Sequence, residues 1–498
     1  TIVLLGTFIG MLLSFVGKVI IIRHITQSEY GILSLALVLL NIFVIVSAMG
    51  VQEGSTRYIA HSRANGDRSK VKGVIFSSIQ ITLVSSVFLA ILLFLSSDFI
   101  SNFFHTSELS IPLKIFSICI PFATLTGTFI SLFRGFDRVD VKVYFGDILG
   151  NLFFLLSLGI VFLFGLSFLG VIYANLAAII LTFIVVVIYA VKELPMKCTE
   201  TVNIPIVRKE LLLFSIPLLA TLMIGLILAW TDTLMLGYFK TPIDVALYNS
   251  AMTLAKLIKV PFASMLFLYI PITSQLYSQN LMPELKRNYA VLTKWIFAAT
   301  LPAFLIISLF PNTILEFFFG SNYVQAGAAL IILVFGFFIY IFFGLNGATL
   351  IAMGKVRILM WAALFSAILN VVLNLSLIPS FGITGAATSS AIALCAGSVL
   401  LAAKLFRLSG VHPFTKTLLK PGITSIILIF IFYMLSKDLL TVTFWMLALL
   451  FILFIVIYCL SLLLTKSLDS EDIMLLLEIE KRMGINLKRI KKILKKFM

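Results

Sequence analysis

The sequence predicts an all-α polytopic membrane protein with 14 transmembrane helices, built as two parallel six-helix lobes plus two C-terminal helices. Three observations predict it. Apolar residues fill 61% of the 498 positions and charged residues only 12%, with a mean hydropathy of +1.14, far from the composition of water-soluble domains. Fourteen apolar stretches are judged long enough to cross a hydrocarbon core ~30 Å thick, which takes about 20 residues of helix. Finally, the 37 Lys and Arg are sorted by loop parity, about 30 of them falling in alternate gaps or in the C-terminal tail. Cytoplasmic loops retain Lys and Arg, whereas a soluble chain has no reason to sort its cations in this way.

In chain order the spans run 1–22, 31–50, 74–95, 111–132, 143–164, 169–191, 211–237, 245–274, 292–310, 323–352, 357–378, 382–403, 420–436 and 441–464. The chain opens at Thr1 directly into an apolar run, so residues including an initiator Met are expected before it, and no signal peptide separates from span 1. The basic gaps are 51–73, 133–142, 192–210, 275–291, 353–356 and 404–419, followed by the tail from Thr465. Arg57, Arg63, Arg68, Lys70 and Lys72 crowd the first, and Arg134, Arg138 and Lys142 the second. The opposite gaps hold or adjoin Arg23, Lys114, Lys240 and Lys437, and those at Gly165–Phe168 and Pro379–Phe381 carry no charge. Both termini are therefore expected on the cytoplasmic side of the cell membrane.

The net charge of +16 is what such sorting produces, so it does not call for a nucleic-acid partner. The tail, residues 465–498, ends in LKRIKKILKKFM, where cations and apolar residues alternate at helical spacing. It reads as an amphipathic helix lying on anionic lipid. Cys119, Cys198, Cys395 and Cys459 form no CxxC or Cys/His pattern, which supports neither a disulfide framework nor a metal site. No phosphate-binding Walker motif is present, so no ATP is hydrolysed, no cofactor is called for, and any coupling ion (H+ or Na+) is left open.

The chain repeats itself weakly at about 215 residues. TQSEYGILSLALVL from Thr26 leads into span 2, and TPIDVALYNSAMTLA from Thr241 leads into span 8. In each, an acidic residue (Glu29, Asp244) is followed two places on by a small one (Gly31, Ala246). FGLSFLG and PSFGITGAA likewise join spans 5–6 and 11–12. Six spans separate the paired segments, so both halves enter the membrane in the same sense, as parallel repeats. The lobes are set at 1–191 and 211–407, joined by a linker at 192–210, with spans 13–14 at 420–464 outside the repeat. Two such bundles facing a central cleft would carry substrate near the midplane by alternating access.

This 6+6+2 arrangement resembles the multidrug/oligosaccharidyl-lipid/polysaccharide exporter superfamily. Within it, RHITQSEYGILSLA, with Arg23, Glu29, Tyr30 and Gly31, is similar to the polysaccharide flippase (Wzx-type) signature. LGYFKTPIDVALYNSAMTLAK, with Tyr248, Asn249 and Ala251, is similar to its second-lobe counterpart, Ala246 departing from the Gly the family often has. The resemblance implies translocation of a polyprenyl- or dolichyl-(pyro)phosphate-linked oligosaccharide, supplying glycan polymerase or transferase partners. It implies no enzyme activity and is silent on the glycan.

Lys256 and Lys259 share one face of span 8, with Lys256 ~16 Å into the membrane at 1.5 Å per residue. A cation there costs about 2.5–3.5 kcal/mol and needs water or a partner, so this pair is expected to contact the cargo's phosphates. Lys18 and Arg23 are expected as outer-leaflet partners, although Lys18 also reads as snorkelling to the interface. Asp232 maps onto Gly17 under the repeat offset, near Lys18, as a counter-charge or a coupling-ion ligand. Asp147 reads as an N-terminal cap of span 5, with the same ion role in reserve. Glu53 and Arg57, four apart, read as a surface pair or a cytoplasmic gate. Pro261 is expected to kink span 8 beside the lysines.

Two other functions compete. A cation-coupled multidrug antiporter of the same superfamily would need a carboxylate-centred pocket, whereas the mid-depth charges here are lysines. A membrane glycosyltransferase or polymer ligase would need acidic, Arg or His residues on a large external loop. The longest external gap, Ser96–Ser110, offers only Asp98, His105 and Glu108.

Overall fold

The computed structural model describes residues 2–165, 167–195, 207–414, 422–427, 430, 434, 449, 451–458 and 460. The basic tail, Cys198, Cys459, most of the linker at 192–210 and most of spans 13–14 lie outside the described residues.

Regular structure among the described residues is helical throughout. Ten helical runs are long and apolar enough to cross a membrane, or eleven with a pair, Pro242–Leu266 and Tyr269–Ser278, bent by 41°. These runs follow the first twelve expected spans in order, because the longest of them covers two. That run, Val356–Ser409, would reach about 81 Å as a straight helix at 1.5 Å per residue. Instead it turns back on itself: Asn370 Nδ2 donates to Ser390 Oγ at 3.5 Å, and a Cβ on Gly397 would lie 2.1 Å from Ser366 Oγ. Gly382, with φ 56° and ψ −128°, takes the turn in a backbone region that suits glycine.

Contacts divide the chain into two compact units, Thr1–Asn249 and Ser250–Met498. The first holds α1 (Ile2–His24), α2 (Gln27–Ser47), α3 (Val51–Ala64), α4 (Arg68–Phe103) and α5 (Ser110–Gly135). After a π-helical segment, Lys142–Leu149, come α6 (Gly150–Leu163), α7 (Phe168–Glu193) and α8 (Arg208–Phe239), and α9 (Pro242–Ala255) begins here. The basic gap at 51–73 proves largely helical, with α3 filling most of it and α4 starting at Arg68 under a cap in which Lys70 N donates to Asp67 Oδ1 at 2.8 Å. Gly50 joins α2 to α3 at φ 71°, where a Cβ would sit 2.3 Å from Ser215 O of α8.

Lipid is as apolar as a leucine core, so these helices associate through small residues and hydrogen bonds instead of apolar burial. The α2–α5 and α3–α5 seams are of this kind: Ser47 and Thr124 hydroxyls meet at 2.6 Å, and those of Ser55 and Ser131 at 3.1 Å. At the basic end of this unit, Ile59, Ile75, Leu132, Phe133 and Val186 form a conventional apolar core that gathers α3, α4, α5 and α7. Outward, Leu163, Phe164, Leu95 and Phe99 are 73–87% exposed, a surface that only lipid can solvate. The chain is a multi-pass membrane protein.

The second unit holds α10 (Val260–Ser278), α11 (Met282–Leu309), α12 (Pro311–Phe319), α13 (Gly327–Phe342), α14 (Gly344–Ala352) and α15 (Val356–Ser409). The α13–α15 seam closes to backbone distance: a Cβ on Gly336 would lie 2.7 Å from Ala391 Cα.

Candidate functional site

Span 8 is broken where its lysines stand. Between α9 and α10, residues Lys256–Lys259 form a 3₁₀ turn. Pro261 has no N–H for Leu257 O, which instead accepts from Val260 N, so the tightening follows from the sequence. In a 3₁₀ turn positions i and i+3 eclipse, which sets Lys256 and Lys259 in one row. Lys256 is exposed and Lys259 half-buried. Lys259 Nζ lies 3.9 Å from the centroid of Phe337 and 5.2 Å from that of Tyr340, both on α13. Aromatic faces can offset part of a cation's desolvation while leaving its hydrogen bonds unspent. The kink expected at Pro261 is thus a change of helix type; the 41° bend comes later, between Leu266 and Tyr269, where Pro271 cannot donate to residue 267.

In the first unit, Asp232 of α8 is buried, and Tyr248 Oη of α9 donates to its Oδ2 at 2.6 Å. Thr233 Oγ1 and Asn249 Oδ1 lie 3.4 Å apart beside it. The turn at Lys240 runs α8 and α9 back along each other, which brings positions sixteen apart together. Lys18 is exposed on α1, and among the described residues no ion pair joins it to Asp232. Arg23 stands exposed in the last turn of α1, where the helix dipole favours a cation.

Asp147 is not a cap. It lies inside the π-helical segment, where Thr7 Oγ1 of α1 donates to its Oδ2 at 3.3 Å. Asn151 Nδ2 donates to Asp147 O at 2.6 Å and to Gly10 O at 3.3 Å. A Cβ on Gly10 would come 2.6 Å from Asp147 O, so a glycine on α1 lets the widened turn press against it. π-Helical turns occur often at functional sites.

Glu53 and Arg57 are not each other's partners. Glu53 Oε2 is 2.7 Å from Arg134 Nη2 of α5, and that guanidinium also donates to Thr56 Oγ1 at 3.2 Å. The Arg57 guanidinium lies over Phe214 of α8, 4.5 Å from its centroid. Beside it a Cβ on Gly54 would meet Ser215 Oγ at 2.4 Å, and Lys70 pairs with Glu210 at 3.6 Å. The basic end of α8 is therefore docked on α3 and α4. Nearby, Arg138 holds Asp140 at 3.1 Å and donates to Tyr189 Oη at 2.7 Å. These hydrogen bonds hold the Asp140 carboxyl below the usual carboxylate range and raise Arg138.

Sequence reasoning missed several polar groups of the second unit. Lys294 on α11 is only 4% exposed. It stands two residues inside span 292–310, so counting it with the adjoining basic gap conceals it. Tyr289 Oη donates to Asn346 Oδ1 at 2.8 Å, Tyr269 and Thr349 hydroxyls meet at 2.6 Å, and Asn374 Nδ2 donates to Asn370 Oδ1 at 3.1 Å. Polar residues within apolar runs at helical spacing were the available signal. Among the described residues no cluster of three or more His, Cys, Asp or Glu could hold a metal ion.

The chain matches the family model described as polysaccharide biosynthesis protein over residues 1–277, and the MatE model over 217–376. It is 23% identical to the uncharacterized membrane protein MJ1068 of Methanocaldococcus jannaschii over 413 residues, 78% of this chain and 79% of that one. It is 28% identical to the probable low-salt glycan biosynthesis flippase Agl15 of Haloferax volcanii over 176 residues, 35% of this chain and 37% of that one. Among solved structures, the lipid II flippase MurJ in an inward closed conformation superposes with a TM-score of 0.73 at 17% identity, covering 91% of this chain and 97% of that one. That likeness identifies the fold.

Proposed function

The chain belongs to the polysaccharide biosynthesis protein family, and on that premise we propose that it is a flippase for a lipid-linked oligosaccharide. The cargo is an oligosaccharide on a polyprenyl or dolichyl phosphate or pyrophosphate, moved across the cytoplasmic membrane by alternating access. The named relatives, a probable glycan biosynthesis flippase and a lipid II flippase, support this class of cargo. The observation that carries the reading is the row of Lys256 and Lys259 in the 3₁₀ break of an apolar span.

The sugars cannot cross lipid unaided, the isoprenoid tail has no need to leave it, and the phosphate joins the two. An ammonium is a compact point charge suited to that phosphate. Lys259, already set against two rings, keeps its donors available, and Lys256 stands beside it in the row. Lys18 and Arg23 act as outer-leaflet partners for the same group. Asp232 and Asp147 are the coupling-ion candidates, and the contacts of Glu53 and Arg57 with Arg134 and Phe214 hold the cytoplasmic end closed. Both termini are cytoplasmic, the basic tail rests on anionic lipid, and glycan polymerases or transferases are the downstream partners.

Complementing a flippase-deficient strain tests this reading: surface glycan returns and lipid-linked sugar stops accumulating on the inner leaflet. Continued accumulation with the protein in the membrane would reject it. The MatE match and the buried Asp232 favour one alternative, a cation-coupled multidrug antiporter, for which efflux of cationic dyes is the discriminating assay.

A further inference from the structure

The open end of the α15 hairpin carries a groove that the transport reading leaves unused. Its volume is 520 Å³, and its walls come from both arms: Ile358, Trp361 and Phe365 from one, Leu400, Lys404 and Arg407 from the other. The spacings of 3 and 4 residues put each trio on a single stripe. Trp361 is 63% exposed and Phe365 45% exposed, so the apolar wall lies open to the surroundings.

Both arms of the hairpin carry charge of one sign at this end. Lys404 and Arg407 line the groove, and Lys355 and Arg357 start the opposite arm. Residues 353–365 and 400–414 contain no Asp or Glu, and among the described residues neither Lys404 nor Arg407 forms an ion pair. The carbonyl end of α15 accounts for a cation near Ser409. It does not account for an aromatic trough running away from those cations into the hydrocarbon. Arginine can bind a phosphate bidentately, lysine adds a point charge, and Trp361 suits the boundary between headgroup and chain. Basic pockets between transmembrane helices are known to take anionic headgroups in this manner.

We propose that this groove binds one anionic phospholipid of the adjacent leaflet, its phosphate held by Arg407 and Lys404 and an acyl chain laid along Trp361, Phe365 and Leu400. The occupant is a bilayer lipid, and the site is separate from the lysine row of span 8.

The experiment is native mass spectrometry of the full chain, delipidated and then titrated with phosphatidylglycerol or phosphatidylcholine. Wild type is expected to retain one phosphatidylglycerol in preference to phosphatidylcholine. Lys404→Gln with Arg407→Gln should weaken phosphatidylglycerol about 25-fold, at roughly fivefold per cation, and weaken phosphatidylcholine less, so that the preference between them narrows. Trp361→Ala should weaken both lipids. Because all three side chains are exposed, the variants are expected to fold, and gel filtration monitors this. Lys256→Ala should retain phosphatidylglycerol normally, which separates this site from the transport site. Equal binding of the two lipids by wild type, or undiminished phosphatidylglycerol on the double variant, overturns the proposal. Displacement by substoichiometric polyprenyl phosphate, lost in that same variant, also overturns it by assigning the groove to cargo.

Discussion

Gly31→Ala tests how the two copies of the repeated motif meet. Each opens its helix with a capping box: Thr26 N donates to Glu29 Oε2 at 2.8 Å, and Thr241 N to Asp244 Oδ2 at 3.1 Å. Just inside the first box, a Cβ on Gly31 would lie 1.8 Å from Pro242 O, at the start of the second. Ordinary contact starts near 3.4 Å, so the helix starts would have to part by about 3.4 − 1.8 = 1.6 Å. The neighbour is a backbone carbonyl, which cannot swing aside as a side chain does. Overpacking of this kind costs about 1–3 kcal/mol, and Ala regains up to about 1 kcal/mol of helix propensity, leaving a net loss near 1 kcal/mol.

Gly159→Ala and Gly225→Ala are internal controls, because their Cβ positions meet nothing within 4 Å. They should be neutral or stabilising by up to about 1 kcal/mol. The assay is thermal unfolding in detergent of variants that keep Cys119 as their one cysteine, followed with a thiol-reactive dye that reports exposure of this buried thiol. Gly31→Ala should melt below wild type and the controls at or above it. If all three variants shift together, the close approach of Gly31 and Pro242 is refuted.

Tyr248→Phe removes a donor to a buried carboxylate, and hydrogen bonds to charged groups are worth about 1.5–3 kcal/mol. It should destabilise by about 2 kcal/mol and couple with Asp232→Asn; additive effects of the two substitutions would contradict the contact. In double-mutant cycles Glu53 should couple with Arg134 by under about 1 kcal/mol, since both side chains are partly exposed, and not at all with Arg57. Coupling between Glu53 and Arg57 instead would count against the geometry. The depressed Asp140 carboxyl contributes stability that is present above its ordinary pKa, near 3.9, and lost as pH falls through its lower folded value. Asp140→Asn should therefore flatten the acid limb of the stability profile, and an unchanged limb would show that the Arg138 contact contributes nothing.

The first twelve spans, their order and the repeated helix starts were legible because each depends on local rules: apolar length and Thr-x-x-acid capping. Gly31 against Ala246 was also visible as a departure, and the structure supplies a reason for the glycine in the nearby Pro242 carbonyl. Tertiary pairing was not legible. Glu53 lies four residues from Arg57, yet its ion pair is with Arg134, 81 positions away on α5. Asp147 resembled a cap because nothing local reveals that Gly10 and Thr7 press a π turn against it. Lys294 was concealed by its place beside a basic gap, although burial separates it from those surface cations. The hairpin turn at Gly382 was legible as well, because PSFGITGAA sets a glycine-containing turn between spans 357–378 and 382–403.

Transport by purified protein in proteoliposomes tests the central claim most directly. A fluorescent oligosaccharide on polyprenyl pyrophosphate is supplied on one leaflet, and its arrival on the other is timed. Wild type should move it, Lys256→Ala and Lys259→Ala should each slow it tenfold or more, as expected for a lost charged contact of about 1.5–3 kcal/mol, and Lys259→Arg should keep part of the rate. Wild-type rates from a Lys256→Ala, Lys259→Ala double variant would contradict a phosphate-binding role for this row.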